Sequence, residues 1–73
     1  MNKTEKIEKI KNIVKNNGEM EVAITINKVD FDYIDYYADT DTAFLFSYEH
    51  DIECDVTETL RESFIDQILE EIC

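Results

Sequence analysis

Eighteen carboxylates, one histidine and two cysteines are the groups in this 73-residue chain able to do chemistry, and the carboxylates are unevenly placed. Residues 1–18 hold five Lys and two Glu; residues 19–73 hold sixteen Asp/Glu against Lys28 and Arg61, a local charge of −14 within a whole-chain −11. Carboxylates can shuttle protons, ligate hard cations, or pair with cations of another molecule. Proton chemistry needs a partner group and a pocket of ~300–1,000 Å³, for which a chain this short hardly has room. His50, the only histidine, reads as a surface or strand-edge side chain among Glu49, Asp51 and Glu53, and no Ser–His or Cys–His pair, glycine-rich phosphate loop or zinc spacing can be assembled. Asp39-Thr40-Asp41, with Asp35, offers oxygens for a cation but has neither the glycine nor the distant Glu of a calcium loop. Cys54 falls in an alternating segment and reads as a buried thiol; Cys73 ends the sequence. The expectation is a non-enzymatic protein with no cofactor and no metal, whose carboxylates act by ion pairing.

The carboxylates are also ordered. Glu58, Glu62, Asp66 and Glu70 recur every four residues, so on a helix they form a stripe with steps of about 6 Å along the axis. Each like-charge pair in it costs about 0.2–0.5 kcal/mol, and only Arg61 lies close enough in sequence to relieve them. Glu49, Asp51, Glu53 and Asp55 alternate with His50, Ile52, Cys54 and Val56, so on a strand they project from one face about 6.6–6.8 Å apart. Asp35, Asp39 and Asp41 add charge around a turn. Residues 1–18 behave differently, with Lys and Glu interleaved at helical spacing (Glu5 before Lys9, Glu8 before Lys11), so like-charge rows are not forced on the chain by its composition.

The elements that must position these groups follow from periodicity. Ile7, Ile10, Ile13 and Val14 predict a helix over residues 4–16, stopped by Asn16-Asn17-Gly18. From Glu19 the period changes to two: Met20, Val22, Ile24 and Ile26 face one way, Glu21, Ala23, Thr25 and Asn27 the other. Residues 31–38 predict a second strand with less regular alternation. Asp39-Thr40-Asp41 is the turn into a third strand, from Thr42 to about Glu49. Residues 50–56 extend that strand past a bulge or form a short fourth. A last helix is expected to start near Asp55–Thr57, with Asp55 and Glu58 at capping-box spacing and Thr57 as the rival N-cap. Its apolar stripe is Leu60, Phe64, Ile65, Ile68, Leu69 and Ile72. Seven of the eight aromatics lie between Phe31 and Tyr48, where cross-strand pairing is the ordinary use and an exposed tyrosine patch the functional one. With one Gly and no Pro there is no linker, so residues 1–73 read as a single α+β domain, α-β-β-β-α. Its antiparallel sheet has three or possibly four strands, with both helices on one face. No apolar run is long enough to span a membrane, and the bacterial host cytoplasm is the expected compartment.

In size, acidity, charge rows and layout the chain resembles the small acidic inhibitors, phage anti-CRISPR proteins among them, that block nucleic-acid-binding proteins by imitating DNA. The resemblance carries over no motif residues. It implies a basic partner, a nucleic-acid-binding effector or nuclease. The charge rows and the turn, not the resemblance, make Asp35, Asp39, Asp41, Glu49, Asp51, Glu53, Asp55, Glu58, Glu62, Asp66 and Glu70 the residues expected to engage it, and the net charge argues against direct contact to nucleic acid; no membrane contact is expected. Two other readings fit the same residues: an immunity protein or antitoxin blocking a basic toxin, and a structural or regulatory module that self-associates through its aromatic sheet. Monomer and homodimer are both compatible with the sequence.

Overall fold

The first helix, α1 (Lys3–Asn17), begins and ends on local chemistry. Asn2 accepts the Glu5 N–H at 2.8 Å while its own N–H donates to the Glu5 carboxylate at 2.9 Å, a reciprocal capping box that satisfies two otherwise unpaired donors. This commits Glu5 to the cap and not to Lys9. At the other end Gly18, at φ 76°, donates its N–H to the Val14 carbonyl, a backbone position that side chains with a Cβ rarely adopt.

In the computed structural model, which describes residues 1–73, four strands follow: β1 (Met20–Ile26), β2 (Val29–Tyr37), β3 (Thr42–Ser47) and β4 (Ile52–Val56). They form one antiparallel sheet in the order β1-β2-β3-β4, each joined to the next by a tight turn. Asn27 and Lys28 both have positive φ, as a two-residue hairpin turn matching strand twist requires. The Ala38–Asp41 turn closes with the Asp41 N–H donating to the Ala38 carbonyl at 3.3 Å. Residues 48–51 make the third turn, with Asp51 at φ 51°. Residues 52–56 are therefore a separate fourth strand, and the third ends at Ser47, short of Glu49.

The irregular alternation of β2 has a structural cause. Glu21 pairs with Tyr33 but Ile24 pairs with Phe31, so Val22 and Ala23 together oppose the single residue Asp32. This bulge lets both Phe31 and Ile34, three positions apart, enter the core. Beyond it the β2–β3 register is regular from Tyr33–Phe46 to Tyr37–Thr42.

The second helix, α2 (Glu62–Ile72), starts later than its capping pattern predicts. Asp55 cannot cap it, because β4 pairing holds Asp55 opposite Phe44 and Val56 opposite Ala43, and Val56 is almost wholly buried. Residues 57–61 then carry the chain from sheet to helix layer, and Arg61 precedes the helix without a side-chain cap. The two helices pack against each other and cover one sheet face, α1 over β2 and β3, α2 beside β1. Ile7, Ile10 and Val14 from α1 and Ile65, Ile68 and Ile72 from α2 meet Val22, Ile24, Phe31, Ile34, Ala43 and Leu45 in one core. The opposite sheet face has no covering element.

Candidate partner-binding surface

Two carboxylate-bearing regions result, and they differ in whether their charges have partners. In the seam between the helices, Lys6 of α1 contacts Glu62 and Asp66 of α2, each at 2.8 Å. Its hydrogen bonds to these two carboxylates, Asp66 first, hold the Lys6 ammonium above its ordinary pKa. The Thr4 hydroxyl donates to the Glu58 carboxylate at 2.6 Å, and Lys3 donates to the Glu58 carbonyl. Lys11 lies 3.3 Å from Glu8 and 3.4 Å from Asp41. Burial pulls the Lys11 pKa down, but the two carboxylates outweigh it and leave it raised. Asp41 also accepts the Tyr36 hydroxyl at 2.5 Å, and this bond, followed by Lys11, lowers its pKa. On the edge of β1, Glu71 accepts the Ala23 N–H at 2.7 Å, satisfying a strand group that has no neighbouring strand.

The expected helical stripe is corrected on two counts. Glu58 precedes α2 and does not extend the row. Glu62 and Asp66 are neutralised from α1 and not by Arg61, whose guanidinium lies over the Phe64 ring, 5.7 Å from its centroid. Periodicity within one helix could not show this, because the cation comes from 56 residues away in the chain. Glu70 alone of the row is exposed with no hydrogen bond or ion pair.

The open sheet face is different. Its residues follow from the register: Glu21 of β1 pairs with Tyr33 of β2, Tyr33 with Phe46 of β3, and Phe46 with Glu53 of β4. The next row is Asp35, Phe44 and Asp55, and Tyr37 lies beyond Asp35 on β2. Aromatic rings thus occupy the middle of the sheet and carboxylates flank them. Tyr33 stacks on Phe46 with centroids 4.7 Å apart and planes 12° from parallel, Tyr48 leans on Tyr33 at 5.0 Å, and Tyr37 contacts Phe44 at 5.1 Å. Desolvation by this cluster, followed by the charge of Glu19, pushes the Tyr33 phenol above its ordinary pKa. Five of the seven cations are on α1, Lys28 is at a hairpin tip and Arg61 lies just before α2, so none has its backbone on this face.

The predicted strand row is half correct. Glu53 and Asp55 project from β4 as expected, whereas Glu49 and Asp51 lie in the β3–β4 turn, because β4 begins only at Ile52. Asp35 shares the face of Glu53 and Asp55, with Phe44 between it and Asp55, and accepts the Tyr36 backbone N–H at 2.8 Å; Asp39 lies exposed in the β2–β3 turn; Asp41 is tied to Lys11 and Tyr36. Asp32 is also engaged, accepting the Tyr48 N–H at 2.8 Å. Glu21, Tyr33, Phe44, Phe46 and Tyr48 are additions to the candidate surface. The outward position of Glu21 was already implied by the β1 alternation; the strand pairings that set it beside the rings were not. Cys54 is only half-buried, because β4 is an edge strand, and burial followed by the charge of Asp55 raises its thiol pKa. His50 is exposed in the β3–β4 turn.

No three His, Cys, Asp or Glu side chains converge where they could hold a metal ion, and no helix is long and apolar enough to cross a membrane. Comparison with protein-family models, with curated proteins and with solved structures returns no match.

Proposed function

We propose that this protein is a non-enzymatic inhibitor that binds a basic, nucleic-acid-binding bacterial protein and occupies the site of the nucleic-acid backbone there. The observation that carries this reading is the open sheet face, where Glu21, Asp35, Glu53 and Asp55 flank half-buried rings with no cation among them. Carboxylates gathered on one face without a cation repel one another and so destabilise the free protein, and a basic groove removes that cost on binding. Its Lys and Arg gain charge-assisted hydrogen bonds, and association is fast and salt-sensitive. The helix seam contributes less, since Glu62 and Asp66 already share Lys6.

The test is competition. The protein is immobilised, a bound basic protein is captured from bacterial extract, and duplex DNA is titrated in. DNA is expected to release the captured protein; Asp35→Asn/Glu53→Gln/Asp55→Asn is expected to abolish capture, while Glu62→Gln/Asp66→Asn retains it. Capture that duplex DNA leaves untouched rejects occupation of a nucleic-acid site.

A further inference from the structure

The open face carries a site more specific than its overall charge. At its β3–β4 end an open-sided cleft of ≈ 450 Å³ is lined by Tyr33, Phe46 and Tyr48 and bordered by Asp51 and Glu53. Tyr33 and Phe46 form the stacked pair described above, and Tyr48, 70% exposed, leans on it with most of its surface in solvent. This is a large exposed aromatic side chain held at the edge of an ordered ring cluster, next to two carboxylates on the turn and strand that follow it. We propose that this cleft receives an arginine side chain of the basic partner.

The inference rests on the binding function proposed above and names the chemistry by which the partner is read. Of the two cationic side chains, a guanidinium fits better. It is planar and weakly hydrated, so it lies flat against a ring, and its fork of N–H donors can reach a carboxylate at the same time. An ammonium is compact and strongly hydrated, and gains less from a ring already in contact with water. The other occupants of an exposed aromatic face fit worse. A second copy docked face to face sets Glu21, Asp35, Glu53 and Asp55 against the same residues with no cation between them. Nucleic acid and anionic lipid meet the same repulsion from a chain of net charge −11.

The experiment uses the intact protein and needs no natural partner. A blocked pentapeptide Gly-Arg-Gly-Arg-Gly, its Lys counterpart and its citrulline counterpart are titrated into ¹⁵N-labelled protein, with affinity read from amide shifts. The arginine peptide is expected to bind about two- to fivefold more tightly than the lysine peptide, the range of a cation–π contact at an exposed site, and the uncharged citrulline peptide more weakly than either. Its shifts should centre on Tyr33, Tyr48, Asp51 and Glu53. Tyr48→Ala, at a side chain outside the core, should remove the preference for arginine over lysine, whereas Glu53→Gln should weaken both peptides. Equal affinity for the arginine and lysine peptides, an unchanged preference in Tyr48→Ala, or shifts centred on α2 would each overturn the proposal. The two levels fail separately: a preference for arginine without DNA competition discards occupation of a nucleic-acid site and keeps the cleft, and competition without the preference does the reverse.

Discussion

The two faces of the sheet use the same residue types to opposite ends. On the covered face, carboxylates at the margin of the helix layer meet lysines: Lys6 with Glu62 and Asp66, Lys11 with Glu8 and Asp41. On the open face, Asp35 accepts the Tyr36 backbone N–H at 2.8 Å, and Asp35, Glu53 and Asp55 stand opposite the Phe44 and Phe46 rings with no cation beside them. Tyrosine divides the same way. Tyr36 turns toward the helices, where its hydroxyl bonds Asp41 and its ring lies under Lys15, the ammonium 5.7 Å from the centroid. Tyr33, Tyr37 and Tyr48 lie on the open side with no such cation. The contrast shows that acidity alone does not distinguish the two faces; what sets the open one apart is that the fold supplies its carboxylates with no cation.

The sharpest way to test this division is within β3, where neighbours in sequence face opposite ways. Leu45 is fully buried and Phe46 only half-buried. Leu45→Ala should cost about 2–4 kcal/mol, by lost burial and a cavity the core can only partly close, which a domain this small can barely withstand. Phe46→Ala should cost about 1 kcal/mol, since it removes a stacked pair and half-exposed area. Urea unfolding monitored by circular dichroism measures both. Equal costs would mean that the open face is covered in solution, and the division would be lost.

A smaller effect tests the charges. Asp35→Asn/Glu53→Gln/Asp55→Asn should raise stability by a few tenths of a kcal/mol, because it relieves like charges on one sheet face, Glu53 and Asp55 two residues apart on β4 and Asp35 on β2 beyond Phe44, while Glu62→Gln/Asp66→Asn should lower it by stripping Lys6 of both partners. The opposite signs are the diagnostic feature, and two losses would show that the open-face carboxylates stabilise the fold. Salt adds a further reading. The melting temperature of the unmodified protein should rise between about 0.02 and 0.3 M NaCl as screening weakens repulsion, and the open-face variant should show a flatter rise.

Most of the fold was legible in the sequence because it is written in local patterns: the 3.6-residue period of α1, the strict alternation of β1, and the acidic turn at Asp39–Asp41. What was not legible depends on pairing between distant segments. The start of α2 moved because Val56 is worth more buried opposite Ala43 than as part of a helix, and a capping pattern at Asp55 cannot register that competition. The candidate surface was half legible for the same reason. Glu53 and Asp55 stood out as an alternating pair, but which carboxylates remain unpaired depends on Lys6 and Lys11, and these reach their partners only when α1 is laid across the sheet. The aromatic centre was visible as a cluster of residue types; its exposure follows from both helices choosing the other face.

The smallest effects are pH-dependent and fall at opposite ends of the scale, one for each face. Asp41 has its pKa lowered by the Tyr36 hydroxyl and then by Lys11. The folded state therefore binds a proton there less readily than the unfolded chain, whose value is near 3.8. Stability from this contact is complete above that value and is lost as pH falls through the folded pKa. Asp41→Asn should remove that part of the acid limb in urea midpoints measured from about pH 5 to pH 2. Tyr33 behaves conversely: its pKa is raised, so the folded state holds the phenolic proton more tightly than the unfolded chain, and stability falls as pH rises past the ordinary tyrosine value of 10.0. Ultraviolet titration of phenolate absorbance should show two tyrosines ionising late, Tyr33 and, through its hydrogen bond to Asp41, Tyr36; Tyr33→Phe should delete one of the two components and leave the acid limb unchanged. The open-face triple Asp35→Asn/Glu53→Gln/Asp55→Asn should move the Tyr33 transition only slightly downward, because desolvation is the largest cause of the shift and Asp35 the smallest of those that act on it. A large downward move would mean that the rings are wetter, and the carboxylates closer to them, than the sheet geometry implies.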